Sequence, residues 1–187
     1  MKVLETAKKP FISTVLSMMV SPARAIKTSV DKIPWYFSVA VSGLAFGLFF
    51  FQTGLDLYKT GQKGFGFALL SAGTGVAYGL LVIPLLGWLL WLVLKMTKSD
   101  KTMSWTISSF CLSYSGAMIY GILGIVFSLV FGWKTAVAFG ITGVIWATGP
   151  IIATIREVTK GNSTLGIILA TIIGAIVLFT WSLFAGI

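Results

Sequence analysis

The residues of this chain that could do chemistry are concentrated in one stretch, Ser108–Leu123, which reads SSFCLSYSGAMIYGIL. It holds four serines, two tyrosines and the one cysteine of the chain, yet no charged residue. Hydroxyl and thiol groups at this density could form a polar path through an apolar environment, or could lie along a seam where helices pack closely. What such groups can do depends on the partners that the rest of the chain offers.

The chain lacks the partners that hydroxyl and thiol nucleophiles usually require. It has no histidine, so a Ser–His hydrolase is excluded and the common zinc sites lack their ligands. Proton relays and ion pathways inside a membrane use buried ionisable groups, but the carboxylates all lie in the N-terminal arm, in predicted loops or at predicted span ends. They are Glu5, Asp31, Asp56, Asp100 and Glu157. We therefore predict a protein that is not an enzyme, with no catalytic residue, no cofactor and no metal site.

The elements that position this stretch are predicted to be membrane-spanning helices. Hydrophobic residues make up 57% of the 187 residues and charged residues only 10%, against about 25% charged in soluble domains. Five intervals without any charge are each about 20 residues or longer, the length that a helix needs to cross the hydrocarbon core. Strands of a barrel would alternate polar and apolar residues, which LLVIPLLGWLLWLVL does not.

The predicted fold is therefore all-α, a polytopic bundle of five transmembrane helices (residues 33–187) that follows an N-terminal amphipathic arm (residues 1–32). The second predicted span is long enough to tilt or to project beyond the bilayer. The five predicted spans are Ile33–Thr53, Phe65–Leu94, Trp105–Phe131, Thr135–Ile155 and Leu165–Gly186.

The distribution of lysine and arginine predicts the orientation of the bundle. The arm and the second and fourth loops carry eleven of these residues, whereas the opposite side carries three. Since cytoplasmic flanks are enriched in positive charge, we expect a cytoplasmic N-terminus and an external C-terminus. The net charge of +9 predicts contact with anionic lipid headgroups rather than with nucleic acid. The candidate cytoplasmic surface for lipid or a partner protein consists of Arg24, Lys27, Lys98, Lys101, Arg156 and Lys160.

The N-terminal arm, which includes KKPFISTVLSMMVSPARA at residues 8–25, has two interpretations. Its two lysines, short apolar segment and final Ala-Arg-Ala resemble a cleaved signal peptide. The favoured interpretation is a pair of interfacial amphipathic helices in the headgroup layer, the second beginning at Pro22 with Ala23, Ile26 and Val30 on its apolar face. A membrane anchor is favoured over a docking site for a cytosolic partner.

Small residues recur at intervals of four in every predicted span. Lipid tails are as apolar as leucine, so helices in a bilayer associate where small residues let their backbones approach. These lines predict a compact bundle, or a surface for a second copy of the chain. The lines are Gly43 and Gly47; Ser71, Gly75 and Gly79; Gly73 and Ala77; Ser109, Ser113, Ala117 and Gly121; Gly124, Ser128 and Gly132; Gly143 and Ala147; Gly149 and Ala153; and Gly166, Ala170 and Gly174.

Four residues are candidate polar or kink positions within the membrane: Pro84, Ser113, Tyr114 and Pro150. Each proline leaves one helical carbonyl without its donor and should kink its helix. A static kink is favoured over a hinge or a lipid-facing cleft. Ser113 lies on the packing line of the third span, whereas Tyr114 does not. The hydroxyl of Tyr114 therefore needs a hydrogen-bond partner. The sequence does not decide whether that partner is protein, water or lipid.

Three segments of the chain form a further pattern: VSPARAIKTS (Val20–Ser29), LKMTKSDKTMSWTISSFCLSYS (Leu94–Ser115) and VIWATGPIIATIREVTKGNSTLGIILA (Val144–Ala170). In these segments the chain resembles the Yip family of Ypt/Rab-interacting integral membrane proteins, and in particular its short prokaryotic-type members. The resemblance implies five spans, a cytoplasmic N-terminus and a location in the cell membrane of a prokaryote. Eukaryotic relatives act with Rab-type GTPases in vesicle traffic.

The expected function is that of a non-enzymatic membrane protein that organises membranes or membrane partners. Membrane lipids are its expected partners, together with a second copy of the chain or another membrane protein. The alternative is a transporter or scramblase for lipids or small apolar solutes, which the two prolines and the hydroxyl-rich third span favour.

Overall fold

The computed structural model of the chain describes residues 5–97 and 99–185, with side-chain surroundings for residues 11–97 and 99–185. Within these ranges the protein is all-α, and five of its helices are long and apolar enough to cross a membrane. This confirms the predicted fold class, a bundle of apolar helices suited to integration in a membrane.

The helices follow one another along the chain with short connections. Two helices and one 3₁₀ turn come first: α1 (Glu5–Val20), α2 (Pro22–Thr28) and the turn Val30–Lys32. The first two spans are α3 (Trp35–Lys59) and α4 (Phe65–Lys95). The third span consists of α5 (Met103–Leu112) and α6 (Ser115–Phe131), the fourth of a π-helical turn (Ala136–Ile141) and α7 (Thr142–Val158), and the fifth of α8 (Ser163–Ala185).

Helix α3 lies at the centre of the bundle. Its most apolar window is 78% buried inside the protein, against 22–39% for the other four spans. It contacts α4 on one side and α5, α6 and the π-helical turn on the others. The helix continues to Lys59, six residues past the predicted end at Thr53, because charged side chains near its end bind the ends of neighbouring helices.

Helices α3 and α4 cross closely through one of the predicted small-residue lines. A Cβ atom at Gly79 would lie 2.6 Å from the Cα atom of Gly43, and one at Gly75 would lie 2.7 Å from the Cβ atom of Phe50. The neighbouring line of α4 does not pack in this way: a Cβ atom at Gly73 would have no neighbour within 4 Å. Of two similar lines on one helix, only one therefore forms a seam.

Helix α1, which the sequence predicts as an interfacial helix, packs directly against the bundle. The ring of Phe11 is 4.8 Å from that of Phe37, near the start of α3. At the other end of α1, Trp146 Nε1 donates a hydrogen bond to the carbonyl of Met19 at 3.3 Å. Trp146 is the eleventh of the 23 residues of the fourth span, so α1 extends from the end of the bundle to the mid-length of that span.

Helix α2 returns along α7 toward the end of the bundle. It begins at Pro22, as the sequence predicts, but its buried face differs by one position. Ala25, Ile26 and Val30 are buried, whereas Ala23 is exposed. The difference arises because α2 packs against α7, so the direction of that neighbouring helix decides which side chains are buried.

The third span is interrupted at Ser113–Tyr114, although it contains no proline. The N–H of Ser113 is shared between the carbonyls of Ser109 and Phe110, both at 3.1 Å, and that of Tyr114 bonds to Cys111 at 3.2 Å. These shorter-range bonds belong to a 3₁₀-like turn. Pro84 and Pro150 lie inside helices that continue past them.

Candidate functional site

A cleft of about 480 Å³ opens between α2 and the connection from α7 to α8. Helix α2 supplies Lys27 to one wall, and the C-terminal turn of α7 and the residues after it supply Arg156, Glu157 and Lys160. Charged groups thus converge there from segments that are far apart in the chain. The remaining lining is small or apolar: Ala23, Ile26, Ala153 and Gly161.

The carboxylate of Glu157 is shared between two lysines. Its Oε2 atom lies 4.0 Å from Lys27 Nζ, and its Oε1 atom lies 3.7 Å from Lys101 Nζ. Lys101 also lies over the ring of Trp105, 4.3 Å from the centroid. At these distances the ion pairs are loose and each contributes little to stability. They show that α2, the segment before α5 and the end of α7 lie close together at this end of the bundle.

The turn after α7 holds Lys160 in an unusual backbone conformation. Its φ is 54°, in the left-handed region, and the following Gly161 has a φ of 110°. The N–H of Gly161 donates to the carbonyl of Arg156 at 2.8 Å, which ends α7. A left-handed conformation costs a residue with a Cβ atom about 1–2 kcal/mol. Glycine is the usual residue at such a helix end, so Lys160 is an exception to this preference.

The structure brings together four of the six residues of the predicted cytoplasmic surface. Lys27, Arg156 and Lys160 line the cleft, and Lys101 joins them through Glu157. Arg24 is exposed on α2 and is not part of the lining. Lys98 lies outside the described residues.

Sequence reasoning missed Glu157 as a member of this site. A signal for it exists, since Glu157 is the one carboxylate in the basic connection between the fourth and fifth spans. An acid among cations in a short loop indicates either an ion-pair centre or a site that sets the spacing of the cations.

Three serines of the third span, Ser109, Ser113 and Ser115, form hydrogen bonds inside the bundle. The hydroxyls of Ser109 and Thr154 lie 2.7 Å apart and join α5 to α7. Ser113 donates to the carbonyl of Ser109 at 2.9 Å, and Ser115 to that of Leu112 at 2.6 Å. These hydroxyls form local bonds and one link between helices, so they belong to a packing seam.

Tyr114 is a polar residue of this stretch that the packing seam does not explain. Its side chain is 1% exposed, and its ring lies 5.0 Å from that of Phe46 and 5.8 Å from that of Phe110. Among the described residues its hydroxyl has no hydrogen-bond partner. At this burial the ring does not face lipid, and aromatic packing holds it in place.

The two prolines occupy different environments. Pro84 lines an outward-facing groove of about 340 Å³ together with Trp35, Leu80 and Met103. The lining of this groove is almost entirely apolar, with Ser104 as its polar member. Pro150 is buried within α7.

Two charged side chains at the opposite end of the bundle join the spans. Asp56 accepts hydrogen bonds from the main-chain N–H groups of Thr135 and Ala136 at 3.1 and 2.8 Å. Lys59 donates to the carbonyl of Ser128 at 2.6 Å and to that of Trp133 at 3.0 Å. Sequence reasoning assigned both residues to a loop. An acid and a base three residues apart at the end of an apolar segment are the signal that could have identified them.

No protein-family model matches the chain, and neither does any curated protein or solved structure. The resemblance to the Yip family therefore stays a prediction.

Proposed function

We propose that this integral membrane protein organises the membrane around it, without catalysing a reaction, by means of the two N-terminal helices that enter one leaflet beside the bundle. The observation that carries this proposal is the hydrogen bond between Trp146 and the carbonyl of Met19. It supports a depth for α1 that reaches the mid-length of a spanning helix. Membership of the Yip family, which the sequence resembles, is part of the same proposal.

The outward face of α1 is suited to hydrocarbon. Ile12, Leu16 and Val20 lie four residues apart on one line and are 69%, 49% and 81% exposed. Val15 and Met18 on the opposite face are buried. A helix that buries one apolar face in protein and exposes another has lipid as the suitable solvent for the second face.

Insertion into one leaflet gives the protein an asymmetric cross-section. The five spans occupy both leaflets. Helices α1 and α2 add their volume only to the half that contains the C-terminal end of α7 and the start of α3. Amphipathic helices that insert in this way respond to and favour membrane curvature. The cations of the cleft lie at the same end and support attraction to anionic headgroups.

The test is the shape of vesicles that contain the full-length protein. Wild-type protein should shift the diameters measured by cryo-electron microscopy to smaller values than those of protein-free vesicles. The variant I12A/L16A/V20A removes apolar volume from the outward face of α1 and should largely abolish this shift.

The matched control is I168A/I172A/I176A, three lipid-facing residues of α8 that are 44–51% exposed. It removes a similar volume from a span that crosses both leaflets, so it should leave the vesicle shift intact. Equal diameters for wild-type and protein-free vesicles would overturn the proposal, as would equal behaviour of the two triple variants.

The alternative function, transport or scrambling of lipids or apolar solutes, has one supporting observation, the groove beside Pro84. The groove offers few polar groups for a headgroup, and Ser109, Ser113 and Ser115 of the third span bond inside the bundle. The same vesicles distinguish the two functions. Protein-dependent flipping of a fluorescent phosphatidylcholine, measured by dithionite quenching, would favour the alternative.

A further inference from the structure

We propose that the cleft between α2 and the α7–α8 connection binds the phosphate group of an anionic phospholipid, held between Arg156 and Lys160 with Lys27 on the opposite wall. The inference deepens the proposed function, on which it rests in taking this end of the bundle to lie at a membrane surface. It names the lipid class that the site recognises.

The charges of the cleft are unbalanced in favour of an anion. Three cations line it, but only one carboxylate, Glu157. That carboxylate is already shared between Lys27 and Lys101. Within residues 11–97 and 99–185, Arg156 and Lys160 make no ion pair. Their donors are thus available to a phosphate, which a guanidinium can bind through two parallel hydrogen bonds.

The backbone of Lys160 is a second, independent indication. Lys160 keeps a φ of 54° at a helix end where glycine is the usual residue. The strained conformation directs the chain sharply from α7 into α8, with the side chain of Lys160 on the rim of the cleft. Strained backbone conformations cluster at ligand-binding positions, which accords with a role for Lys160 in the cleft.

The inner part of the cleft favours a lipid over a free phosphate ion. Ala23 and Ala153 line the cleft on the side nearer the mid-length of α7, one turn below Arg156. Their small side chains keep the space between α2 and α7 open and apolar. A volume of about 480 Å³ lies in the range of ordinary ligand pockets. It would accommodate a headgroup phosphate at the cationic rim and the glycerol region below it.

The experiment measures lipid binding to the purified full-length protein in a non-ionic detergent. Native mass spectrometry would count retained molecules of phosphatidylglycerol and of phosphatidylcholine with the same acyl chains, and a thermal-unfolding series would record stabilisation by each. We expect selective retention of phosphatidylglycerol. In the variant R156Q/K160Q its affinity should fall about tenfold or more, because two charge-assisted contacts are lost.

The matched control is K32Q/K95Q, which removes two exposed cations near the same end of the bundle, before α3 and at the end of α4, that do not line the cleft. It should retain phosphatidylglycerol like the wild type. Equal loss in both variants would show a diffuse surface attraction and overturn the proposal, as would no loss in either. Inorganic phosphate forms a third arm: if it stabilises the protein as well as phosphatidylglycerol does, the site is one for free phosphate and the lipid assignment is wrong.

A second variant guards against misfolding of the first. Lys160→Gly places the residue favoured by the left-handed conformation at this position, so it should raise the melting temperature without lipid and reduce the stabilisation by phosphatidylglycerol. If both the melting temperature without lipid and the stabilisation by phosphatidylglycerol increased, a binding role for Lys160 would be contradicted. The protein could change vesicle diameters without retaining phosphatidylglycerol selectively, or could retain this lipid without changing the diameters. The two experiments therefore distinguish a failure of the lipid site from a failure of the proposed function.

Discussion

The carboxylate of Asp56 accepts the main-chain N–H of Ala136 at 2.8 Å, so the first spanning helix caps the start of the fourth. One turn further on, Lys59 donates to the carbonyl of Ser128 near the end of the third span. A negative charge thus lies at a helix N-terminus and a positive charge at the preceding helix C-terminus, and each complements the helix dipole. These contacts hold the third and fourth spans to α3.

Replacing Asp56 should destabilise the bundle. In Asp56→Ala the N–H groups of Thr135 and Ala136 lose their shared acceptor, and the free energy of unfolding should fall by about 1–2 kcal/mol. Denaturant titration in detergent micelles, followed by circular dichroism, measures this change. Asp100→Ala, at an exposed loop position, is the control and should leave stability unchanged. Equal effects in the two variants would show that the capping contacts contribute nothing.

The crossing of α3 and α4 predicts opposite effects for two glycines of the same helix. In Gly79→Ala the new methyl group would lie 2.6 Å from the Cα atom of Gly43, and the overpacking should cost about 1–3 kcal/mol. In Gly73→Ala the methyl group meets nothing within 4 Å, so higher helix propensity should leave stability equal or raised by up to about 1 kcal/mol. Unfolding in micelles checks both, and a larger loss for Gly73→Ala would contradict the assigned seam.

The hydroxyl of Tyr114 should be dispensable, while its ring should not. Tyr114→Phe removes a buried group without a partner among the described residues and keeps the contacts to Phe46 and Phe110, so stability should stay equal or rise slightly. Tyr114→Ala should cost about 3–5 kcal/mol through the cavity it leaves. A clear loss of stability in Tyr114→Phe would mean that the hydroxyl bonds to a water or another group.

The predicted orientation can be tested by labelling single cysteines in intact cells. Met96→Cys, at a position 85% exposed, should react with a membrane-impermeant maleimide only after the cytoplasm is opened. Gln62→Cys, in the exposed connection between α3 and α4, should react from outside. Because Cys111 is fully buried, the native thiol should not interfere. The reverse pattern would reject the distribution of positive charge as a guide to this protein's orientation.

The small-residue lines illustrate how far sequence reasoning reaches in this protein. The line Ser71–Gly75–Gly79 and the line Gly73–Ala77 have similar composition and spacing, but only the first one meets α3. Nothing local separates them, since either line would let a backbone approach. The choice depends on which face of α4 the neighbouring helix occupies.

The candidate site was predictable as a set of cations and not as a cleft. Lys27 and Arg156 are separated by most of the chain, and the positive-charge rule assigns them only to a common side of the membrane. Their meeting depends on α2 packing along α7. The packing of α1 against α6 and α7 was unpredictable for a similar reason, because an apolar helix face is satisfied equally by lipid and by protein.

The sequence by itself determined that the chain forms five apolar spans with cations concentrated toward one side. These properties follow from local requirements, namely backbone hydrogen bonding within each segment and the cost of charge in hydrocarbon. Only the tertiary structure decided which polar groups are bonded and which are left over, as Ser109 pairs with Thr154 while Tyr114 lies among aromatic rings. It also decided that Arg156 and Lys160 face a cleft beside α2, because such contacts depend on how the helices pack.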